Sequence, residues 1–593
     1  MKERLKNKLM GIVQAVDRYP LSMLFLVAIA TINAVSIQKE AEHDSKYLFT
    51  FIVGAMLSVV SQQVYERFCT KASQRFMLMG GSLLLAAGYY LAIRSAPVFN
   101  IEISTKTAVA MFALLMAFIW VPSIKSKVTF NESFMSAFKA FFITALFSAV
   151  LAGGISSIIF AIDQLLFSIT YKAHSHAMNI IFSLFSPIFF LSFTPRYPGK
   201  KDADQSTEAL EKVEKAVSVP KMLEILISYV IIPLTAVYTI ILLVYVLLNF
   251  RGDFWANNLL EPMLVSYTII VILVYILASS LDNQFAALFR KIFPKILIPI
   301  VLFQTIASIL KISEAGVTHG RYYVIMFGIF ALMAGILFSF FPVKKNGWIA
   351  AVLIIFSAIS IIPPIDAFTV SRVNQVNLLV ETLSENNMFE DGKIVPNSAI
   401  SAEDKKTITR TVSYLDSMNY LEKIDWLPNK IFYDDHFKNT FGFDEVYDET
   451  GRDNEAQYAH LDWEQSPVVN IEQYDRMIHL TVYNEEEEDS GKEIPIEINN
   501  TNYILTKQLE EEYFNLHLVD EQDEELIRVN SKEVFDEILG DEETYGGEGK
   551  TLSVKKATVT RENNKVRMDF LITSVNHYDD QYFADMFVFL KIK

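Results

Sequence analysis

The chain has 593 residues and a single cysteine, Cys69. One thiol cannot close an intrachain disulfide, and it cannot supply a CxxC metal site or a redox pair. The short motifs of nucleotide and hydrolytic chemistry are also missing: there is no GxGxxG, no GxxxxGK[ST], no GxSxG, no HExxH and no kinase signature. The third scarcity is one of position. Charge is nearly absent from the long apolar runs before residue 366, and none of the nine histidines falls inside one. An acid or base held in hydrocarbon is costly and tends to be functional. Its absence at mid-run argues against a proton relay or an ion pump.

What is present changes character near residue 366. Hydrophobic residues make up 52% of the chain, high for a soluble protein. A spanning helix needs about 20 mainly apolar residues, because lipid leaves every backbone group to be satisfied within the helix. Eleven runs qualify: 19–37, 46–62, 76–93, 104–121, 135–160, 177–193, 222–249, 260–280, 292–310, 322–341 and 347–365. The first lacks a small-residue cleavage pattern and is followed by further spans, so it is not a removable signal. Residues 1–370 carry 20 Asp+Glu against 30 Lys+Arg, and residues 371–593 carry 48 against 22. The predicted fold is an α-helical polytopic membrane bundle of about eleven spans, followed by an acidic α+β soluble domain with a mainly antiparallel sheet. The boundaries are 1–366 for the bundle, 367–465 for a helical stalk and linker, and 466–593 for the α+β domain. So acidic a domain disfavours nucleic acid as a partner.

Lys and Arg collect in short cytoplasmic loops. Alternate connections hold 21 and 8 of them, with the richer set on the side of the N-terminus. The N-terminus is expected to be cytoplasmic and, with an odd number of spans, the acidic domain extracytoplasmic.

Smaller features have ordinary readings. Residues 1–18 read as a basic amphipathic lead-in, a plain topology signal in preference to a contact with anionic inner-leaflet lipid. TEALEKVEKAV (207–217), with Glu208–Lys212 and Glu211–Lys215 at i,i+4, reads as a solvated cytoplasmic hairpin. Lys139 and Glu224 are expected within about a turn of a helix start, and Asp163 just beyond a helix end. Pro187, Pro233 and Pro299 fall inside spans and predict kinks. Gly153-Gly154 predicts a packing contact or a flexible point. Past Asp366, Val373, Val376, Leu379 and Leu383 keep a helical spacing that Asp391-Gly392 should end. Ser401 and Asp404 fit the start of a second helix, and SKEVFDEIL reads as another. SPVVNIEQ, MIHLTVYN, EIPIEI, TNYILT, TLSVKKATVT, KVRMDFLITSV and DMFVFLKI read as strands. His174-Ser-His176, the acidic run Glu485 to Asp489 and ETGRDNE (449–455) lack the spacing of a metal site, so no metal or cofactor is predicted.

One segment stands out. In EAGVTHGRYY, Glu314, Thr318, His319 and Arg321 lie between spans nine and ten and Tyr322 opens span ten, with glycines 316 and 320 permitting a tight turn. Arg321 should be held by an acceptor such as Glu314, Asp366 or a carbonyl, since a guanidinium keeps its charge. Asp366 should return to the same surface, bringing the turn next to residues 366–380. This surface is either an interfacial anchor or a small polar site for an anionic headgroup or a wall-polymer fragment.

EAGVTHGRYYVIMFGIFAL followed by SIIPPIDAFTVSRVNQVNLL resembles the pattern of a family of bacterial multi-pass membrane proteins, the domain of unknown function DUF4153. Gly316, Thr318, Arg321, Tyr322, Pro363, Ser371 and Gln375 carry the likeness, and YVIIPLTAVYTIILLVY (229–245) resembles the family's seventh span. Ala315, where the pattern has an aromatic, and His319-Gly320 before the arginine depart from it. The resemblance covers residues 15–430. It implies a bacterial plasma-membrane protein and assigns no activity, catalytic residue or cofactor.

Three functional expectations follow. The first is a non-enzymatic envelope protein whose exterior domain binds an envelope ligand or protein partner, as sensor or scaffold, with the lipid bilayer as its other partner. The second is a transporter or lipid-handling protein with a path between kinked spans. An enzyme is least favoured, because neither paired acids nor a histidine cluster is found.

Overall fold

A computed structural model describes residues 11–39, 45–94, 100–198, 207–249, 260–433, 435–447, 457–463, 468–483, 492–510, 513–539, 550–578 and 581–593. The chain divides into two compact units, residues 1–374 and 375–593.

In the first unit eleven helices are long and apolar enough to cross a membrane. They are α1 (Pro20–Lys39), α2 (Ser45–Phe68), α3 (Ala72–Ile93), α4 (Ile101–Ser123), α5 (Phe130–Leu165), α6 (Tyr171–Ser192), α7 (Ile232–Asn249, entered through Lys221–Ile225 and a π-turn), α8 (Leu260–Ala278), α9 (Gln284–Leu310), α10 (His319–Phe340) and α11 (Gly347–Ile361). Polar residues at their ends fix the starts. Asn100, Thr129, Asn283 and Thr318 accept backbone N–H bonds from Ile103, Glu132, Ala286 and Arg321, satisfying donors that the helix itself leaves open. Tyr267, Val271, Leu297, Val301 and Ala331 are buried in a tight core of α8, α9 and α10. Gly328 permits the α9–α10 approach, since a Cβ there would overlap the Thr305 side chain. Elsewhere small polar pairs join the helices: Ser22–Ser58 at 2.6 Å, Ser61–Ser82 at 2.7 Å, Ser148–Ser186 at 2.6 Å and Asn33–Asn179 at 3.0 Å. Such contacts replace the hydrophobic drive that lipid does not supply.

Several local expectations change. α5 starts at Phe130, so Lys139 lies well inside it, and Asp163 is in its last turn, accepting from the Ile169 N–H at 2.7 Å. Apart from its own helix, no atom lies within 4 Å of where a Cβ on Gly153 or Gly154 would sit, and the helix runs through both unbroken. Neither glycine makes a packing contact with another element among the described residues. π-turns at Ile181–Phe185 and Leu226–Ile231 precede Pro187 and Pro233, where the wider turn accommodates the donor that proline lacks. Pro299 sits with Pro294 inside a continuous α9.

The boundary between the units falls within helix α12 (Ala367–Glu385). The helix ends six residues before Asp391-Gly392. Those two residues, with φ of 50° and 74°, instead turn the hairpin of β1 (Phe389–Glu390) and β2 (Lys393–Ile394). α13 (Ala402–Ser417) follows, with Ser401 accepting from the Asp404 N–H.

The second unit holds two larger sheets. One runs β4-β12-β11-β3-β9, with β10 also on β11; the other runs β5-β6-β7-β8. Their strands are β3 (Gln457–Leu461), β4 (Arg476–Tyr483), β5 (Lys492–Ile498), β6 (Thr501–Glu510), β7 (Tyr513–Val519), β8 (Glu525–Asn530), β9 (Lys550–Leu552), β10 (Thr558–Glu562), β11 (Val566–Tyr578) and β12 (Gln581–Ile592). Every named pairing is antiparallel except β3–β9. Phe514, Phe570, Met568 and Val588 fill the core, with Phe535 from α14 (Ser531–Leu539).

Three strand expectations fail. Residues 468–473 of SPVVNIEQ form no strand, and Val468 is exposed. TLSVKKATVT splits into β9 and β10. β3, β7 and β8 are additional, so the sheet begins at Gln457 rather than 466. The Glu485–Asp489 run and residues 449–455 lie outside the described residues.

Candidate functional site at the root of α12

The site is built where α4 begins and α12 begins. α11 ends at Ile361, a cis Pro363–Pro364 bond turns the chain, and Asp366 starts the next helix. Its Oδ1 accepts the N–H groups of Phe368 and Thr369, each at 3.2 Å. The side chain is fully buried. Such burial would be expensive for a lone carboxylate, and a cation answers it: Lys106 Nζ lies 2.9 Å from Asp366 Oδ1. Lys106 also pairs with Glu102, one turn earlier on α4, at 2.7 Å. Burial alone would raise the Asp366 pKa, but hydrogen bonding from Thr369 and Lys106 outweighs it and holds the carboxyl below its ordinary value. Asp366 Oδ2 is buried and makes no hydrogen bond of ordinary length.

Phe368 is the hub of the same cluster. The ring is buried. Lys106 Nζ stands 5.5 Å from its centroid, His319 stacks on it at 5.2 Å, and Tyr323 meets it edge-on at 6.4 Å. The Tyr322 hydroxyl donates to the Ile365 carbonyl at 2.7 Å.

The turn between α9 and α10 completes the site. Gly316 has φ 65°, a conformation favourable to glycine. Arg321 donates to the Gly316 carbonyl at 2.8 Å, and the Val317 N–H donates to Asn374 Oδ1 at 2.6 Å. Thr318 caps α10. Of the residues singled out from sequence, the structure therefore brings Thr318, His319, Arg321, Tyr322 and Asp366 into one region. Glu314 lies in the short helix Ile312–Ala315, and its side chain is outside the described residues.

Sequence reasoning missed Lys106, Glu102, Phe368 and Asn374. Lys106 looked like one more loop cation. The available signal was Glu102–Lys106 at i,i+4 immediately after the capping residue Asn100. Among the described residues no group of His, Cys, Asp and Glu is arranged to hold a metal ion. A buried, hydrogen-bonded ion cluster can fix geometry and bias a conformation.

The fold defines a multi-pass membrane protein whose helical bundle is followed by a separate α+β unit. The chain belongs to the family of the domain of unknown function DUF4153, which matches residues 22–388. That match takes in almost the whole bundle, every residue of the site and α12. No curated protein and no solved structure matches the chain.

Proposed function

We propose that this is a non-enzymatic bacterial plasma-membrane protein with a cytoplasmic N-terminus, which presents its acidic unit outside the cytoplasm to bind an envelope ligand or protein partner. The observation that carries the reading is the Lys106–Asp366 contact. It ties the capping residue of α12 to a different span, so the start of that helix has a fixed root. A displayed domain that reports or scaffolds needs such a root. The 21-to-8 bias of basic residues supports the orientation, and the solid α8–α10 core suits a rigid support. A transporter is the second reading. The π-turns before Pro187 and Pro233 favour it, because broken helices often line substrate paths.

The test uses a Cys69→Ser chain with single cysteines at the exposed positions Ser417 and Asn564. A membrane-impermeant maleimide should label both in cells freed of any outer barrier. Labelling only after lysis would reverse the orientation and end the reading. A photoreactive residue at Val468 should then give a discrete adduct in intact cells. Substrate flux in proteoliposomes without any adduct would decide for transport.

A further inference from the structure

The opposite ends of α1, α2 and α6 enclose a second polar site. The helix of residues 11–18, the end of α2, the start of α3, the chain after α6 and the amphipathic helix Thr207–Val217 surround a cavity of about 740 Å³. Small-molecule sites are commonly of about 300–1,000 Å³.

Its walls are fixed by a buried ion pair. Arg18 holds Glu66 through two bonds, of 2.9 and 2.7 Å, and donates to the carbonyls of Thr194 at 2.8 Å and Pro195 at 3.3 Å. Burial opposes its charge, yet Tyr19 and Glu66 raise its pKa further, so it stays ionised. Arg18 is thus part of the bundle's packing, beyond the simple topology charge it resembles in the sequence. Gln62 extends the network, donating to Glu66 at 2.7 Å and accepting from Arg75 Nε at 2.9 Å. Arg75 Nη2 donates to the Arg18 carbonyl at 2.9 Å.

This arrangement leaves Arg75 aimed by two neutral acceptors. Among the described residues it has no carboxylate partner, and its Nη1 makes no hydrogen bond. Arg196 and Lys212 add positive charge to the same wall, while among the described residues Asp17 is the one lining acid besides the committed Glu66. A guanidinium cannot shed its charge. Leu191, Phe193 and Val213 line the other side. The helix carrying Val213 is no solvated hairpin: Val213 is buried, and Lys139 Nζ donates to the Lys215 and Ser218 carbonyls at 3.3 and 2.6 Å, pinning its C-terminal end to α5.

We infer that this cavity binds a phosphate-bearing anion, with Arg75 as the principal recognition residue. The planar guanidinium fork matches phosphate oxygens. The apolar wall at span ends suits a phospholipid headgroup, and the same chemistry would accept a soluble phosphate.

The experiment uses the full chain purified in a neutral detergent and three probes: short-chain phosphatidylglycerol, short-chain phosphatidylcholine and inorganic pyrophosphate. Thermal unfolding and native mass spectrometry are the readouts. Phosphatidylglycerol or pyrophosphate should raise the unfolding midpoint saturably, and phosphatidylcholine should not. A response to the lipid alone assigns the headgroup, one to pyrophosphate alone a soluble ligand, and both the shared chemistry. Arg75→Gln should weaken binding about ten-fold or more, as loss of a charged hydrogen bond implies, with Arg75→Lys restoring part. Binding of neither anion, or unchanged binding by folded Arg75→Gln, overturns the inference. Should Arg75→Gln fail to fold, Lys212→Glu on the exposed wall replaces it, and unchanged affinity there overturns the inference equally.

Discussion

Lys106 Nζ lies 2.9 Å from Asp366 Oδ1, so the first turns of α4 are bonded to the residue that caps α12. The acid is completely buried and the lysine mostly so, and the two groups depend on each other. Removing one partner leaves the other charge uncompensated, whereas removing both leaves neutral groups that pack. Lys106→Met should therefore cost about 2–3 kcal/mol of stability. Asp366→Asn, which can still cap α12, should cost about 1 kcal/mol. The double variant should be less destabilised than the sum, by about 1 kcal/mol or more. Thermal unfolding in detergent would measure the cycle, and additive effects would show the contact to be energetically idle.

The same carboxylate predicts an acid limb. Its folded-state pKa is depressed, through Thr369 and Lys106. A depressed carboxyl contributes stability that is fully present above its unfolded value of about 3.9 and lost as pH falls through the lower folded value. Between pH 5 and pH 2 the wild type should lose stability more steeply than Asp366→Asn. Identical acid limbs would place the proton-linked loss at other residues.

Arg321 closes the turn before α10 by donating to the Gly316 carbonyl. Arg321→Ala should lower stability by about 1–2 kcal/mol and reduce the amount of protein in the membrane. Arg321→Lys should recover only part, because a point ammonium lacks the planar fork. An abundance equal to wild type for the alanine variant would mean that the turn holds without it.

Glycines in this bundle divide into two kinds. Gly328 faces Thr305 closely, so Gly328→Ala should cost about 1–3 kcal/mol through overpacking, and pairing it with Thr305→Ser should restore little. Gly153→Ala and Gly154→Ala meet open space. Each should be neutral or stabilising by up to about 1 kcal/mol, through helix propensity alone. Thermal midpoints of the three variants test the distinction.

All eleven spans were legible in the sequence because each is a long apolar run, and lipid permits such a run only one backbone solution. Their edges were not: α5 and α9 each begin several residues before their apolar stretch, where polar side chains still point into protein. The turn at Gly316 to Tyr323 could be read because two glycines and an arginine sit where hydrocarbon begins. Lys106 could not be paired with Asp366, because nothing local in a sequence says which distant helix end comes alongside. In the second unit the long alternating strands β4, β11 and β12 were visible. β7 was not, since Phe514, Asn515 and Leu516 are all buried and break the alternation. Asp391-Gly392 was recognised as a stop but serves a hairpin, because the helix had already ended.

α5 is longer than a bilayer is thick. Its 36 residues make a rod of about 54 Å at 1.5 Å per residue, against roughly 30 Å of hydrocarbon. Fitting all of it inside would demand a lean of about 55°, beyond the 0–40° that spanning helices adopt. Part of the rod therefore extends past the hydrocarbon. Because Lys139 Nζ donates to the Lys215 and Ser218 carbonyls, the amphipathic helix Thr207–Val217 is tied to the N-terminal part of this same rod, so the surplus length of α5 and that helix belong to one assembly.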